Sequence, residues 1–145
     1  MLKALPSSIA IGRPSIALAA ARRVIAAANV EAERHGWAIS VAVLDAAGEL
    51  VALEKHDAAI GISPYVAIGK ARTAALLRAP SKQFEDFINA GRPSFLSTPG
   101  LTALEGGIPI VADGRVIGAV GVSGAHGAND SQIATIAAAA IDSPV

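Results

Sequence analysis

The 145-residue sequence contains no cysteine, and its aromatic residues amount to only 3% of the chain. The absence of cysteine excludes disulfides, thiolate metal sites and a cysteine nucleophile. So few aromatic residues provide no stacking surface for single-stranded nucleic acid, and a net charge of zero provides no basic surface for phosphates. No apolar run reaches the roughly 18 residues of a membrane-spanning helix. We therefore expect a cytoplasmic protein with no nucleic-acid and no membrane partner.

What the sequence has in excess is small apolar residues. Hydrophobic residues make up 52% of the chain and the mean hydropathy is +0.50. A chain of this length suits one core, so we expect residues 1–145 to form a single domain, with residues 1–12 as an N-terminal arm. The apolar excess favours a homo-oligomer, because a small domain with few charges often buries surface between subunits.

Hydrophobic periodicity and capping residues divide the chain into helices and hairpins. A helix is predicted over residues 15–35, ending at Gly36, because glycine adopts the left-handed conformation after a helix most easily. The remaining elements are predicted in this order: strands over 37–45 and 49–55, helices over 63–77 and 81–91, a hairpin, and a last helix over 133–141. Because hairpins dominate, the predicted fold class is α+β, an antiparallel sheet flanked by helices.

The second hairpin is predicted around Asp113-Gly114. These two residues lie between apolar runs and are typical of a type I′ turn, which needs positive φ at both central positions. The strand after the turn, Val116–Val122, contains Gly118 and Gly121. Glycine inside a strand indicates a bulge or the close approach of another backbone segment.

A glycine-rich loop over residues 123–127 follows this strand, with the sequence S-G-A-H-G. The next helix is predicted to start near Asn129 or Asp130. This order places backbone N–H groups, a hydroxyl and an imidazole at a helix N-terminus, where anionic groups bind readily. We therefore expect part of a small-molecule site here. The loop follows a hairpin rather than a βαβ unit, so it is not a dinucleotide-binding fingerprint.

Five sequence blocks occur in the order SVAVLDAAGELVALE, KHDAA, IGKARTAA, LEGGIPI and VIGAVGVSG. Together they resemble the GlcG/HbpS family, which is labelled haem-binding or haem-degrading and includes the C-terminal domain of PduO-type proteins. The resemblance covers about residues 12–142. It implies a profilin-like or PAS-like sheet flanked by helices and assembly into dimers or larger oligomers, octamers in some members. It also implies binding of haem or a related tetrapyrrole.

The positions that match the family's blocks are the ones to which the resemblance assigns a ligand pocket. They are Lys70, Thr73, Gly106, Gly107, Pro109, Ser123, Gly124 and Asp130. One block departs from the family, because His56-Asp57 stands where Met-Asp is common. The expected pocket combines the 56–62 loop, the helix of Lys70, the Glu105 turn and the 123–130 loop.

For haem as the candidate cofactor, two histidines can supply an axial imidazole to iron. His56 and His126 both lie in loops beside predicted strand ends. Arginines that could pair with haem propionates are Arg72, Arg78 and Arg92. No separate metal site is predicted, because the histidines and Asp57 have no recognised metal-ligand spacing.

Two other functions remain open at the level of the sequence. The first is an enzyme of isomerase, deaminase or hydrolase type, with Lys70, Glu105 and His56 as its acid–base residues. Its substrate would be a small metabolite that carries a carboxylate or a carbonyl group. The second is a scaffold subunit whose alanine-rich last helix serves only assembly, and it predicts no pocket.

Overall fold

The computed structural model describes residues 3–142, which fold around one four-stranded antiparallel sheet. The helices are α1 (Leu18–His35), α2 (Ser63–Leu77), α3 (Lys82–Asn89) and α4 (Gly127–Ala138). The strands are β1 (Ser40–Asp45), β2 (Leu50–Lys55), β3 (Gly107–Ala112) and β4 (Arg115–Ser123), in the spatial order β2-β1-β4-β3. This architecture confirms the predicted α+β class. Within residues 3–142, no helix combines the length and the hydropathy needed to cross a bilayer.

Both hairpins turn at the positions that the sequence predicts. Asp113 and Gly114 have φ values of 49° and 72°, so both central residues of the second turn are left-handed, as a type I′ turn requires. In the first turn, Asp45 Oδ1 accepts hydrogen bonds from the backbone N–H groups of Ala47 at 2.9 Å and Glu49 at 3.0 Å. These turns fix the register of the pairs β1–β2 and β3–β4, and β1 and β4 then lie side by side at the centre of the sheet.

The sheet lies between two layers of helices. On one face, branched side chains of the central strands pack against α1 and α4, and they are Val41, Val43, Val120 and Val122. On the opposite face, small residues such as Ala42 and Ala119 pack against α2. Because successive side chains of a strand point to opposite faces, this alternation gives a thick core on one side and a thin one under α2.

Glycine residues let helix α2 lie very close to the sheet. A Cβ atom at Gly121 would overlap the carbonyl oxygen of Ala67 and lie 2.7 Å from the backbone nitrogen of Ala71. A Cβ atom at Gly107 would overlap the carbonyl oxygen of Lys70. The close approach predicted from Gly121 is therefore confirmed, and the backbone that approaches is that of α2.

Helix α1 begins at Leu18 rather than at the predicted residue 15. The backbone N–H of Ile16 donates to the carbonyl oxygen of Ile117 at 2.9 Å, and Ile16 is buried. This contact with β4 keeps the chain extended before Leu18, so tertiary packing overrides the local helix signals. The end of the helix agrees with the prediction, since Gly36 is left-handed with a φ of 70°.

Helix α4 begins at Gly127, earlier than the predicted start near Asn129 or Asp130. Neither of those side chains caps the helix. Asn129 Nδ2 donates to the carbonyl oxygen of Ala125 at 2.9 Å, while the carboxylate of Asp130 contacts Lys70. Asp130 is therefore a buried residue of the first helical turn, and its role is to join α4 to α2.

We expect the Gly121→Ala substitution to lower the free energy of unfolding by about 3 kcal/mol, because the added methyl group forces α2 away from the sheet. Urea-induced unfolding followed by far-UV circular dichroism measures this loss. Gly12→Ala is the matched control, since a Cβ atom there has no neighbour within 4 Å. Equal urea midpoints for the two variants would show that α2 does not pack tightly on the sheet.

Candidate functional site

A cavity of about 310 Å³ opens at the end of the sheet where β4 leads into α4. Its walls come from the 56–62 loop, α2, Glu85 of α3, the turn before β3, the loop after β4 and the first turn of α4. Among the residues predicted for the site, those that line it are Lys70, Glu105, Ser123, Gly124, His126 and Asp130. The structure thus brings together residues of all four segments predicted for the pocket, although the 56–62 loop contributes only Ile60.

The floor of the cavity is a buried ion pair between α2 and α4. Lys70 Nζ lies 3.0 Å from Asp130 Oδ2 and donates to the carbonyl oxygen of Val122 at 2.9 Å. The side chains of Lys70 and Asp130 are only 4% and 3% exposed. Asp130 Oδ1 accepts a hydrogen bond from the backbone N–H of Ala125 at 2.9 Å. One carboxylate therefore fixes both the lysine and the start of the glycine-rich loop.

Gly106 makes room for the ammonium group of Lys70. Its φ of 126° lies in the left-handed region, and a Cβ atom there would lie 2.9 Å from Lys70 Nζ and 2.8 Å from the carbonyl oxygen of Val122. The next residue, Gly107, lies directly under the backbone of α2. The two glycines matched by the family resemblance thus shape the floor of the cavity from below, through their lack of side chains.

Glu105 lies at the rim, beside the N-terminus of α4. It is half-buried, and its Oε2 accepts a hydrogen bond from the hydroxyl of Ser131 at 3.0 Å. A Cβ atom at Gly127 would lie 2.9 Å from Glu105 Oε1, so the carboxylate rests on the first turn of the helix. A helix N-terminus favours negative charge, which makes this a place where a carboxylate is stable.

His126 lies at the mouth of the cavity, directly before α4. It is exposed, and its φ of 73° is unusual for a residue that has a side chain. Such a conformation raises the free energy by about 1–3 kcal/mol and tends to occur at functional sites. The neighbouring Ser123 is buried with 8% of its surface exposed, so the histidine is the more accessible of these two polar side chains.

Two predicted pocket residues, His56 and Asp57, do not line this cavity. His56 Nδ1 accepts a hydrogen bond from the backbone N–H of Ala58 at 3.0 Å, and the backbone N–H of His56 donates to the carbonyl oxygen of Ile39 at 2.9 Å. The imidazole lines a different cavity of about 520 Å³, together with Trp37. The first residues of the 56–62 loop are thus held beside β1, away from Lys70.

Thr73 also lies outside the Lys70 cavity, although it is on the same helix. Its Oγ1 donates to the carbonyl oxygen of Gly69 at 3.0 Å and accepts from the backbone N–H of Thr102 at 3.0 Å. Its hydroxyl therefore holds the long segment before β3 against α2. Within residues 3–142, no group of three His, Asp or Glu side chains is arranged to hold a metal ion.

Sequence reasoning missed the residues that hold the Glu105 turn in place. Ser81 is the first residue of the helix predicted over 81–91, a position at which a serine typically caps, but its hydroxyl makes no capping contact. Instead Ser81 Oγ donates to the carbonyl oxygen of Leu104 at 2.6 Å and accepts from the backbone N–H of Gly107 at 2.9 Å. The only local signal was a serine before a short helix, which is typical of a cap.

Known proteins share both the sequence pattern and the fold. A family model described as "Haem degrading protein HbpS-like" matches residues 16–139. Protein GlcG of Escherichia coli (strain K12) is 49% identical over 103 residues, which cover 71% of this chain and 77% of GlcG. The crystal structure of a Streptomyces reticuli HbpS double mutant is 31% identical with a TM-score of 0.85, covering 96% of this chain and 95% of HbpS.

A further solved structure, a PduOC:haem complex, is 25% identical with a TM-score of 0.78, and the match covers 87% of this chain and 94% of PduOC. The family match extends over most of the described residues, from the start of α1 into the end of α4. These findings confirm the resemblance read from the sequence blocks, and the chain belongs to the HbpS-like family.

Proposed function

We propose that this protein binds haem or a related tetrapyrrole at the Lys70 cavity, with His126 as the axial ligand. The observation that carries the proposal is the exposed imidazole of His126 at the mouth of a cavity with a buried polar floor. A neutral imidazole is a common axial ligand of haem iron. The structural similarity to PduOC, which was solved as a complex with haem, also supports the proposal.

The residues around the cavity fit part of such a ligand. Ile60, Val66 and Leu104 supply apolar walls against which the edge of a macrocycle could pack. A volume of about 310 Å³ is at the low end for ligand pockets, so one edge of the tetrapyrrole would enter and the rest would lie over the mouth. Bound haem would supply an iron centre, and the chain would supply its orientation.

The arginines that were candidates for pairing with the propionates of a tetrapyrrole lie away from this cavity. None of the candidate arginines Arg72, Arg78 and Arg92 lines the cavity. The cation that does is Lys70, which Asp130 already neutralises. We therefore expect the propionates to point away from the cavity into solvent, because the carboxylates of Glu85 and Glu105, which both line it, would repel them.

The enzyme alternative rests on the same cavity and a changed set of residues. Lys70 and Glu105 line it as predicted, but His56 does not, and His126 is the histidine beside them. A small metabolite with a carboxylate or carbonyl group would fit a cavity of this volume, with Glu105 as the proton-transfer group. Lys70 would orient the substrate only if the substrate replaced one of its two present partners.

Haemin titration of the purified protein separates these proposals. We expect a sharp, stoichiometric Soret band for the wild type and an affinity at least about tenfold lower for His126→Asn, since the axial bond is lost. Asparagine is chosen because it keeps a polar side chain at this position and removes the imidazole. His56→Ala is the matched control, because it removes the imidazole that lies on the other cavity.

Loss of the band in His56→Ala instead would move the ligand to the cavity beside Trp37. A broad band that neither substitution changes would indicate adventitious binding and contradict the haem proposal. In that case a panel of small carboxylates, tested on wild type and Glu105→Gln by thermal shift, addresses the enzyme alternative.

A cytoplasmic location stays a prediction.

We also propose that the protein is a homo-oligomer. Large apolar side chains around α2 are exposed, and those of Ile60, Ile62, Tyr65 and Leu76 are each at least 59% accessible. Single exposed apolar residues are ordinary, but several on one region favour contact with another copy. Sedimentation velocity should show a species at a multiple of the 14.5 kDa chain mass. A single monomer peak at micromolar concentration would contradict this.

A further inference from the structure

A second polar cavity, of about 240 Å³, lies at the opposite end of the sheet from Lys70. The turn between β1 and β2, the turn between β3 and β4, the end of α2 and the segment before α1 form it. Three arginines from three separate parts of the chain line it, Arg13, Arg78 and Arg115, and no aspartate or glutamate does. We call this the arginine cavity.

In the described part of the chain, the three guanidinium groups have no acidic partner, because no ion pair joins any of them to a carboxylate. Among residues 3–142, the only hydrogen bond that they donate is a long one of 3.4 Å from Arg115 to the carbonyl oxygen of Gly12. The chain as a whole carries 12 basic and 12 acidic residues, so composition does not explain this local excess of positive charge.

The position of Arg78 has a simpler explanation that does not extend to the other two. Arg78 is the C-cap of α2, and a cation there is favourable because of the helix dipole. It holds this position with a φ of 57°, where glycine or asparagine would be easier. Arg13 and Arg115 lie on no helix end, so the dipole gives no reason for them to converge there.

We propose that the arginine cavity binds a compact phosphate-bearing anion, such as pyrophosphate or a small phosphate ester. Like charges that face one cavity repel each other, and a bound polyanion relieves that repulsion. The guanidinium fork matches phosphate oxygens in a bidentate manner. The volume of about 240 Å³ leaves room for a compact anion such as a diphosphate group.

The rest of the lining explains why the ligand would be small and anionic. Pro14, Ala46 and Ala75 contribute short side chains and no charge, so the arginines provide all of the charge in the lining. The backbone N–H of Ala46 is already used, because it donates to Ser15 Oγ at 3.1 Å. Binding would therefore depend on the three guanidinium groups, and this site is independent of the proposed tetrapyrrole site.

Isothermal titration with inorganic pyrophosphate tests the proposal on the whole chain. At about 0.15 M ionic strength, where surface charges are screened beyond about 8 Å, we expect one site per chain. Arg13→Gln and Arg115→Gln should each weaken the affinity by about tenfold or more, because each removes a charge-assisted contact. Arg78→Asn, which suits the left-handed backbone, should do the same.

Arg22→Gln is the matched control, since Arg22 is an exposed arginine of α1 that does not line the arginine cavity. It should leave the affinity within twofold of the wild type. Equal weakening by Arg22→Gln, or no measurable binding to the wild type, would overturn the proposal. Citrate binding as tightly as pyrophosphate would also overturn it, because the cavity would then select charge rather than phosphate.

Discussion

The ion pair between Lys70 and Asp130 is the interaction on which the site depends. It joins the middle of α2 to the first turn of α4, through groups 60 residues apart in the chain. Two charges buried together are tolerated only when their remaining hydrogen-bonding capacity is used. The carbonyl oxygen of Val122 and the backbone N–H of Ala125 provide those contacts. The same hydrogen bonds hold the end of β4 and the loop that presents His126.

That ion pair is possible only because α2 lies so close to the sheet. Gly107 and Gly121 leave no side chain between the helix backbone and the strands, and Gly106 leaves space for the ammonium group. A larger residue at any of these positions would lift α2 or displace the lysine. The glycines that the family resemblance assigns to the pocket therefore act mainly through packing, and the cavity results from that packing.

Much of the fold could be predicted from the sequence because its signals are local. The turn at Asp113-Gly114 and the helix end at Gly36 each follow from the φ angle that one or two residues must adopt. The predicted start of α1 at residue 15 is wrong, because a hydrogen bond to β4 holds Ile16 in an extended conformation. No local pattern could report that contact. The first turn of α4 was misjudged for the same reason, since Asp130 bonds across the fold.

The sequence predicts which segments of the chain form the site, but it does not predict which side chains contact each other there. The family resemblance predicts Lys70, the turn before β3 predicts Glu105 and the glycine-rich loop predicts His126, and these residues share one cavity. The position of His56 near a strand end predicts that it shares this pocket, but a hydrogen bond to the backbone of Ile39, just before β1, holds it beside another cavity. Which side of the sheet a loop joins depends on packing that only the folded chain reveals.

A double-mutant cycle on Lys70 and Asp130 tests most directly whether this ion pair organises the site. The variants are Lys70→Met, Asp130→Leu and their combination, and urea unfolding gives the free energy of each. We expect each single substitution to cost about 3–5 kcal/mol, since it leaves the other charge buried and unpaired, and the double variant to lose far less than the sum. Losses that simply add would contradict the account, because the two residues would then act independently.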